Sequence, residues 1–161
     1  MASRNMSGKS REARYSHFIQ VALPLTFVTI MLLDSYIFRI SVWLNQIVPF
    51  IIRIILCAIV LVIAFVFIKL AHDALFSHNA PSNMLITDGI LSHVRNPMYL
   101  GVLLIYVAFL FLSISLISLI FFIFVILIYN KLVNFEEKVL EELFGDVWLA
   151  YKKKVPKWIP R

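Results

Sequence analysis

Long apolar runs alternate with short polar segments along this chain. The first run covers about residues 18–38 and carries Asp34 near its end. The second covers about 47–70, with Pro49 and Arg53 near its start. As a helix it spans about 33–36 Å, enough for a hydrocarbon core about 30 Å thick. No charged residue occurs from Pro97 to Asn130. As one helix that stretch is about 50 Å long, too long for a single crossing. The pattern therefore predicts a tight hairpin of two short or tilted helices, about 97–112 and 115–132, turning at Leu112-Ser113-Ile114-Ser115. The second arm is expected to continue as a polar amphipathic helix over about 133–144, with Gly145 as its stop. A short helix at 146–154 and a proline-bounded tail follow. A membrane barrel would alternate apolar and polar residues over segments of about ten, whereas these runs are continuous. The expected fold class is all-α: a polytopic membrane helical bundle with about four transmembrane helices and cytosolic C-terminal amphipathic helices.

Composition strengthens this reading. Of 161 residues, 61% are hydrophobic and only 15% charged, against roughly 45–50% and 25% in soluble domains. A domain of this size cannot cover its surface with so few polar residues, so a soluble domain, a disordered chain and a disulfide scaffold are excluded. The chain reads as one domain, 1–161. It comprises a flexible basic tail over 1–17, two spans within 18–80, and a second half from 84 onward. The first run has the basic flank of a signal peptide but no small-residue cleavage pattern. More spans follow it, so an uncleaved helix is expected.

The net charge is +6, from 15 Lys and Arg against 9 Asp and Glu. The basic residues gather at the ends: Arg4, Lys9, Arg11 and Arg14, then Lys152, Lys153, Lys154, Lys157 and Arg161. Such clusters set topology and attract anionic lipid headgroups rather than nucleic acid. An even number of spans with both termini cytoplasmic puts thirteen of the fifteen on one side. The 71–96 loop and the C-terminal segment then share that cytoplasmic face. Cys57, the sole cysteine, is expected to be a buried small hydrophobe.

The polar clusters on that face are where chemistry is expected. Asn96-Pro97 is a helix start, with Asn at the cap and Pro at the first helical position. The start of that helix offers free N–H groups and partial positive charge, with Arg95 beside it, so the three suit a carboxylate or phosphate. Gly101, one turn in, lets a ligand or another helix approach. In Asn134-Phe135-Glu136-Glu137-Lys138, adjacent glutamates point about 100° apart on a helix, so one faces the protein while the other is solvated. An inward carboxylate at the mouth of a span needs a cationic partner. The aromatic and lysine residues of 144–160 suit the lipid–water boundary. His72, Asp73 and His78 have spacing poorly suited to a metal, and no metal site is expected. Asp34 is expected to pair with Arg39 or Arg53, or to lie at the boundary.

Taken together, the ordered segments Gly89-Ile90-Leu91-Ser92-His93-Val94-Arg95-Asn96-Pro97-Met98-Tyr99-Leu100-Gly101, then Glu136-Glu137 with Leu140, Phe144-Gly145, Trp148 and Tyr151, then Val155-Pro156 with Trp158-Ile159-Pro160 resemble the isoprenylcysteine carboxyl methyltransferases and related membrane phospholipid methyltransferases. The resemblance covers about residues 84–161. It implies a membrane methyltransferase using S-adenosyl-L-methionine, bound in a cytosol-facing pocket. The implied partners are membrane lipids and a lipophilic methyl acceptor, a prenylated cysteine carboxylate or a lipid amine. Carried over by position, His93, Val94, Arg95, Asn96, Pro97, Met98, Tyr99, Gly101, Glu136 and Glu137 would border the cofactor. Arg95, Tyr99 and Glu137 would take part in catalysis. Two positions depart from the family pattern: Asn96 stands where His is common, and His93 or Leu91 where Tyr is common. Asn cannot titrate near neutral pH, so a proton-carrying role there is removed while a binding role survives. Two other classes are compatible with the spans: a non-catalytic scaffold that kept the fold, and a small transporter or channel subunit. The latter predicts polar residues lining several spans, and the 97–130 stretch offers little beyond Ser and Tyr. Nothing in the sequence specifies an oligomeric state.

Overall fold

The protein is seen in a computed structural model that describes residues 18–76 and 84–160. The basic tail 1–17 and His78 lie outside the described residues. Among the described residues five helices run in chain order: α1 (Phe18–Phe38), α2 (Phe50–Phe76), α3 (Pro97–Ser113), α4 (Leu116–Phe144) and α5 (Asp146–Lys154). Single 3-10 turns stand at Trp43–Gln46 and Gly89–Ser92. No strand occurs among the described residues.

α1, α2 and α4 are each long and apolar enough to cross a membrane. α3 has 17 residues, about 25 Å, a little short of a hydrocarbon core about 30 Å thick. The hairpin lies where its uncharged stretch required. α3 ends at Ser113, Ile114 adopts the left-handed conformation (φ 43°), and its N–H bonds to Leu110 O at 2.7 Å. Ser115 then caps α4, its hydroxyl accepting from Ser118 N at 3.0 Å. The polar helix expected to continue the second arm over 133–144 is the end of a continuous 29-residue α4. Gly145 stops α4 as expected, with φ 52° and its N–H on Glu141 O. α2 starts three residues later and ends six residues later than its apolar run, because helix-compatible residues continue to Phe76.

α3 is the middle of the bundle. α2 packs along one side of it, contributing the small buried residues Cys57, Ala64 and Ala71, seven apart. Small residues at such intervals let helix backbones approach closely where apolar lipid supplies no hydrophobic drive. α1 and α4 cover the other side through a core of Phe27, Met31, Tyr106, Phe122, Val125 and Tyr129. Phe27 meets Tyr106 edge-on with ring centroids 4.9 Å apart.

Asp34 does not pair with an arginine. It sits in a π-helical turn, Leu33–Phe38, and is buried. Its carboxylate accepts from Ile40 N (3.2 Å), Ser41 N (3.1 Å), Ser115 Oγ (2.6 Å) and Ser41 Oγ. Short hydroxyl side chains and free amides reach an inward carboxylate that a long arginine side chain does not. Arg53 instead donates to Leu112 O at 3.1 Å, at the hairpin turn.

Candidate functional site

The inward stripe of α4 is Ser118, Phe122, Val125, Tyr129, Val133 and Glu137, stepping by three or four residues. A helix that buries the first five must turn Glu137 inward as well. Glu137 is 5% exposed. Its Oε2 lies 3.2 Å from Arg95 Nη1, with both side chains more than nine-tenths buried. Its Oε1 accepts from Asn96 Nδ2 at 3.2 Å. A buried carboxylate is tolerable because a cation and an amide hold its two oxygens. The 100° offset carries Glu136 to the neighbouring face, where it is half-buried rather than solvated as expected, because it accepts from the Tyr99 hydroxyl. That hydroxyl accepts in turn from Gln20 Nε2 at 3.2 Å.

Asn96 stands at the cap position of α3, ahead of Pro97, and its carbonyl accepts from Leu100 N. Its side chain makes no cap bond. The amide is directed to Glu137 and, at 3.4 Å, to Lys157 O. A charge-assisted bond from Nδ2 to the carboxylate turns the amide toward α4.

The C-terminal segment closes over this end. Arg95 N donates to Pro156 O at 3.0 Å, and the Arg95 guanidinium lies 6.0 Å from the Trp148 ring. Lys157 Nζ donates to Asn130 Oδ1 and Asn134 Oδ1, each at 2.7 Å. Burial holds the Lys157 ammonium below the usual lysine range, while the Glu137 carboxylate acts in the opposite sense. Trp148, Tyr151 and Val155 form a second buried cluster with Leu85, Leu140 and Phe144. Trp148 and Tyr151 are thus interior residues rather than lipid-boundary anchors. Tyr151 hydroxyl donates to Leu91 O at 2.7 Å, tying α5 to the segment that carries Arg95. Removing that hydroxyl by Tyr151→Phe is expected to lower stability by about 0.5–1.5 kcal/mol, read as a lower thermal midpoint of the purified protein.

The residues singled out in the sequence divide into two sets. Arg95 and Asn96 are brought into direct contact with Glu137, and Tyr99 into direct contact with the adjacent Glu136. Val94 and Pro97 are buried supports, and Met98 is half-buried. His93 is exposed and contacts Ser92 Oγ and Gly89 O of its own turn. Gly101 faces α2: a Cβ there would stand 2.6 Å from Ile68 Cγ1 and 2.9 Å from Ala64 O. Of the two approaches that a bare backbone permits, the structure shows the helix. Gln20 and Lys157 carried no local sequence signal for this site, since their partners lie far away in the chain. A lone amide inside an apolar run is the one sign that Gln20 gives.

Glu137 also lines an open cavity of about 580 Å³, together with Asn134, Lys138, Glu141, Glu142 and Lys152. That is within the usual range for small-molecule sites. Among the described residues no group of three or more His, Cys, Asp or Glu is placed to hold a metal. His72 and Asp73 are both exposed.

The phospholipid methyltransferase family matches residues 52–147 of this chain. The chain is also 34% identical over 91 residues to the protein-S-isoprenylcysteine O-methyltransferase of Schizosaccharomyces pombe. That match covers 53% of this chain and 39% of the length of the relative.

Proposed function

Since this chain belongs to the phospholipid methyltransferase family, we propose that it is a membrane methyltransferase acting from S-adenosyl-L-methionine on a lipophilic acceptor. The observation that carries this reading is that the start of α3 meets the end of α4 through Arg95 and Asn96 on Glu137 and through Tyr99 on the adjacent Glu136. When bound, S-adenosyl-L-methionine supplies an electrophilic methyl group on a sulfonium.

The residues present fit such a group. It carries one carboxylate, one ammonium and one sulfonium. Arg95, Glu136 and Glu137 offer one cation and two carboxylates, the complementary balance. Arg95 Nε and Trp148 Nε1 are buried and have no hydrogen-bond partner among the described residues, so two donors are spare for a ligand carboxylate. Arg95 would bind that carboxylate and Glu136 or Glu137 the ammonium. The buried cluster around Trp148 and Tyr151 excludes water from one side. In this reading α3 is a fourth, short span, both termini are cytoplasmic, and the site opens to the cytoplasmic face.

For the acceptor, the similarity to a protein-S-isoprenylcysteine O-methyltransferase favours methyl esterification of a prenylated cysteine carboxylate. A carboxylate is already a nucleophile, so no general base is required and alignment does most of the work. A phospholipid or other lipid amine is the second reading, favoured by the family match and by the Gln20–Tyr99–Glu136 chain. An amine must shed a proton, and Glu136 is a carboxylate at the end of that chain.

The test is transfer of labelled methyl from S-adenosyl-L-methionine in lipid nanodiscs. One arm contains a farnesylated cysteine analogue and the other contains phosphatidylethanolamine. Base-labile label on the cysteine analogue is the expected result, and stable label on the amine lipid would move the assignment to the second reading. Failure of folded protein to label either, together with failure to bind the donor, would reassign the chain as a non-catalytic membrane protein. Glu136→Gln keeps a hydrogen-bonding group but removes charge, and is expected to lower kcat/KM about tenfold.

A further inference from the structure

A second polar site lies at the other end of the helices. The α1 C-terminus, the start of α2 and the α3–α4 turn enclose a cavity of about 490 Å³. It is separated from the Arg95–Glu137 cluster by the length of α3, about 25 Å. Arg39 and Arg53 both line it, and among the described residues no acidic side chain does. The nearest carboxylate, Asp34, is already held by Ser41, Ser115 and two backbone amides. Four lining side chains have buried polar atoms with no hydrogen-bond partner among the described residues: Ser35 Oγ, Asn45 Oδ1, Arg53 Nε and Ser113 Oγ. Arg53 is held in place, donating to Leu112 O and lying 5.1 Å from the Phe50 ring centroid, with its Nε buried and unpartnered.

We propose that this cavity binds a phosphate group, that of a membrane lipid headgroup, at the end of the bundle away from methyl transfer. Buried polar groups in native proteins find partners, and two guanidiniums lining one cavity without a lining carboxylate suit an anion. Guanidinium forks match phosphate oxygens, and serine hydroxyls add neutral donors. The Asn45 amide presents a donor on its nitrogen alongside its free oxygen, which suits a headgroup that carries both phosphate oxygens and hydroxyls. Tyr36 and Trp43 on the rim are mostly exposed aromatics, the residue type that sits at headgroup depth. The same chemistry is offered by free phosphate esters, so the experiment separates the two sources.

The full chain is purified in a neutral detergent, stripped of lipid, and titrated with dihexanoyl phosphatidic acid, glycerol phosphate or dihexanoylglycerol, with binding read by native mass spectrometry. Phosphatidic acid is expected to bind one per chain. Its affinity should fall at least about tenfold in Arg39→Gln/Arg53→Gln, with S-adenosyl-L-methionine affinity unchanged. Binding of phosphatidic acid alone supports a lipid headgroup. Equal binding of glycerol phosphate keeps the phosphate site but overturns the lipid source. Equal binding of dihexanoylglycerol, or unchanged affinity in the double variant, overturns the proposal. Arg53 also braces the hairpin turn, so Arg39→Gln/Ser113→Ala is made in parallel. Arg39 is exposed and its loss leaves that brace intact, so this variant should fold and show weakened binding too.

Discussion

Arg95→Ala is expected to abolish methyl transfer and to destabilise the protein by about 3–5 kcal/mol, the range for leaving one member of a buried ion pair uncompensated. Glu137 is held by Arg95 and Asn96 in a nearly solvent-free position. Without the guanidinium its carboxylate must take up a proton or draw in water, and either change disturbs the place assigned to the donor. The stability and activity effects separate in a second variant. Arg95→Met/Glu137→Leu replaces both charges with apolar groups of similar length. It is expected to recover most of the lost stability while binding no S-adenosyl-L-methionine. Chemical denaturation and radiolabelled donor binding on the same preparations read the two quantities. Recovery of binding together with stability would show that the pair is only a brace.

Gly101→Val is the second large effect. The position is closed by α2, with Ile68 and the Ala64 carbonyl already inside the distance a Cβ needs. Even one methyl forces the helices apart, and overpacking of this kind costs about 1–3 kcal/mol. A β-branched side chain adds a second collision with backbone that has no rotamer to escape into. The expected result is a loss at or above the top of that range, with Gly101→Ala intermediate. Ile68→Ala in the Gly101→Ala background should recover part of the loss but not all, because the Ala64 carbonyl remains. Full recovery would mean that the side chain alone limits the approach of α2 to α3.

These outcomes rest on features of unequal visibility in the sequence. The hairpin was readable because an uncharged stretch too long for one helix and too short for two ordinary spans leaves few alternatives, and Ser113-Ile114-Ser115 interrupts it. The separation of the two glutamates was readable from helical geometry. Which of them turns inward was written in the α4 stripe that ends at Glu137, although uniform hydrophobicity through most of α4 hides the stripe until a packing partner is known. The same difficulty hid the Cys57–Ala64–Ala71 face of α2. The partners of Asp34 were not readable, because a carboxylate's preference for arginine yields to nearby hydroxyls and free amides. Nor was the burial of Trp148 and Tyr151, since mixed aromatics and lysines look alike in a membrane anchor and in a folded-back tail. Gln20 reaches Tyr99 across 79 positions, a contact that only the folded bundle creates. The sequence places Arg95 and Glu137 at the border of one cofactor without indicating a contact between them. The structure has the two groups joined directly, so under the proposed function the donor would open or share that ion pair.

Whether that pair forms part of the methyl-donor site decides the proposed function. The most direct measurement is calorimetric titration of S-adenosyl-L-methionine into the full chain in nanodiscs, for the natural protein, Glu137→Gln and Lys153→Gln. One-site binding that is lost in Glu137→Gln and retained in Lys153→Gln, which changes only an exposed lysine, is the predicted result. The same affinity in all three would contradict it.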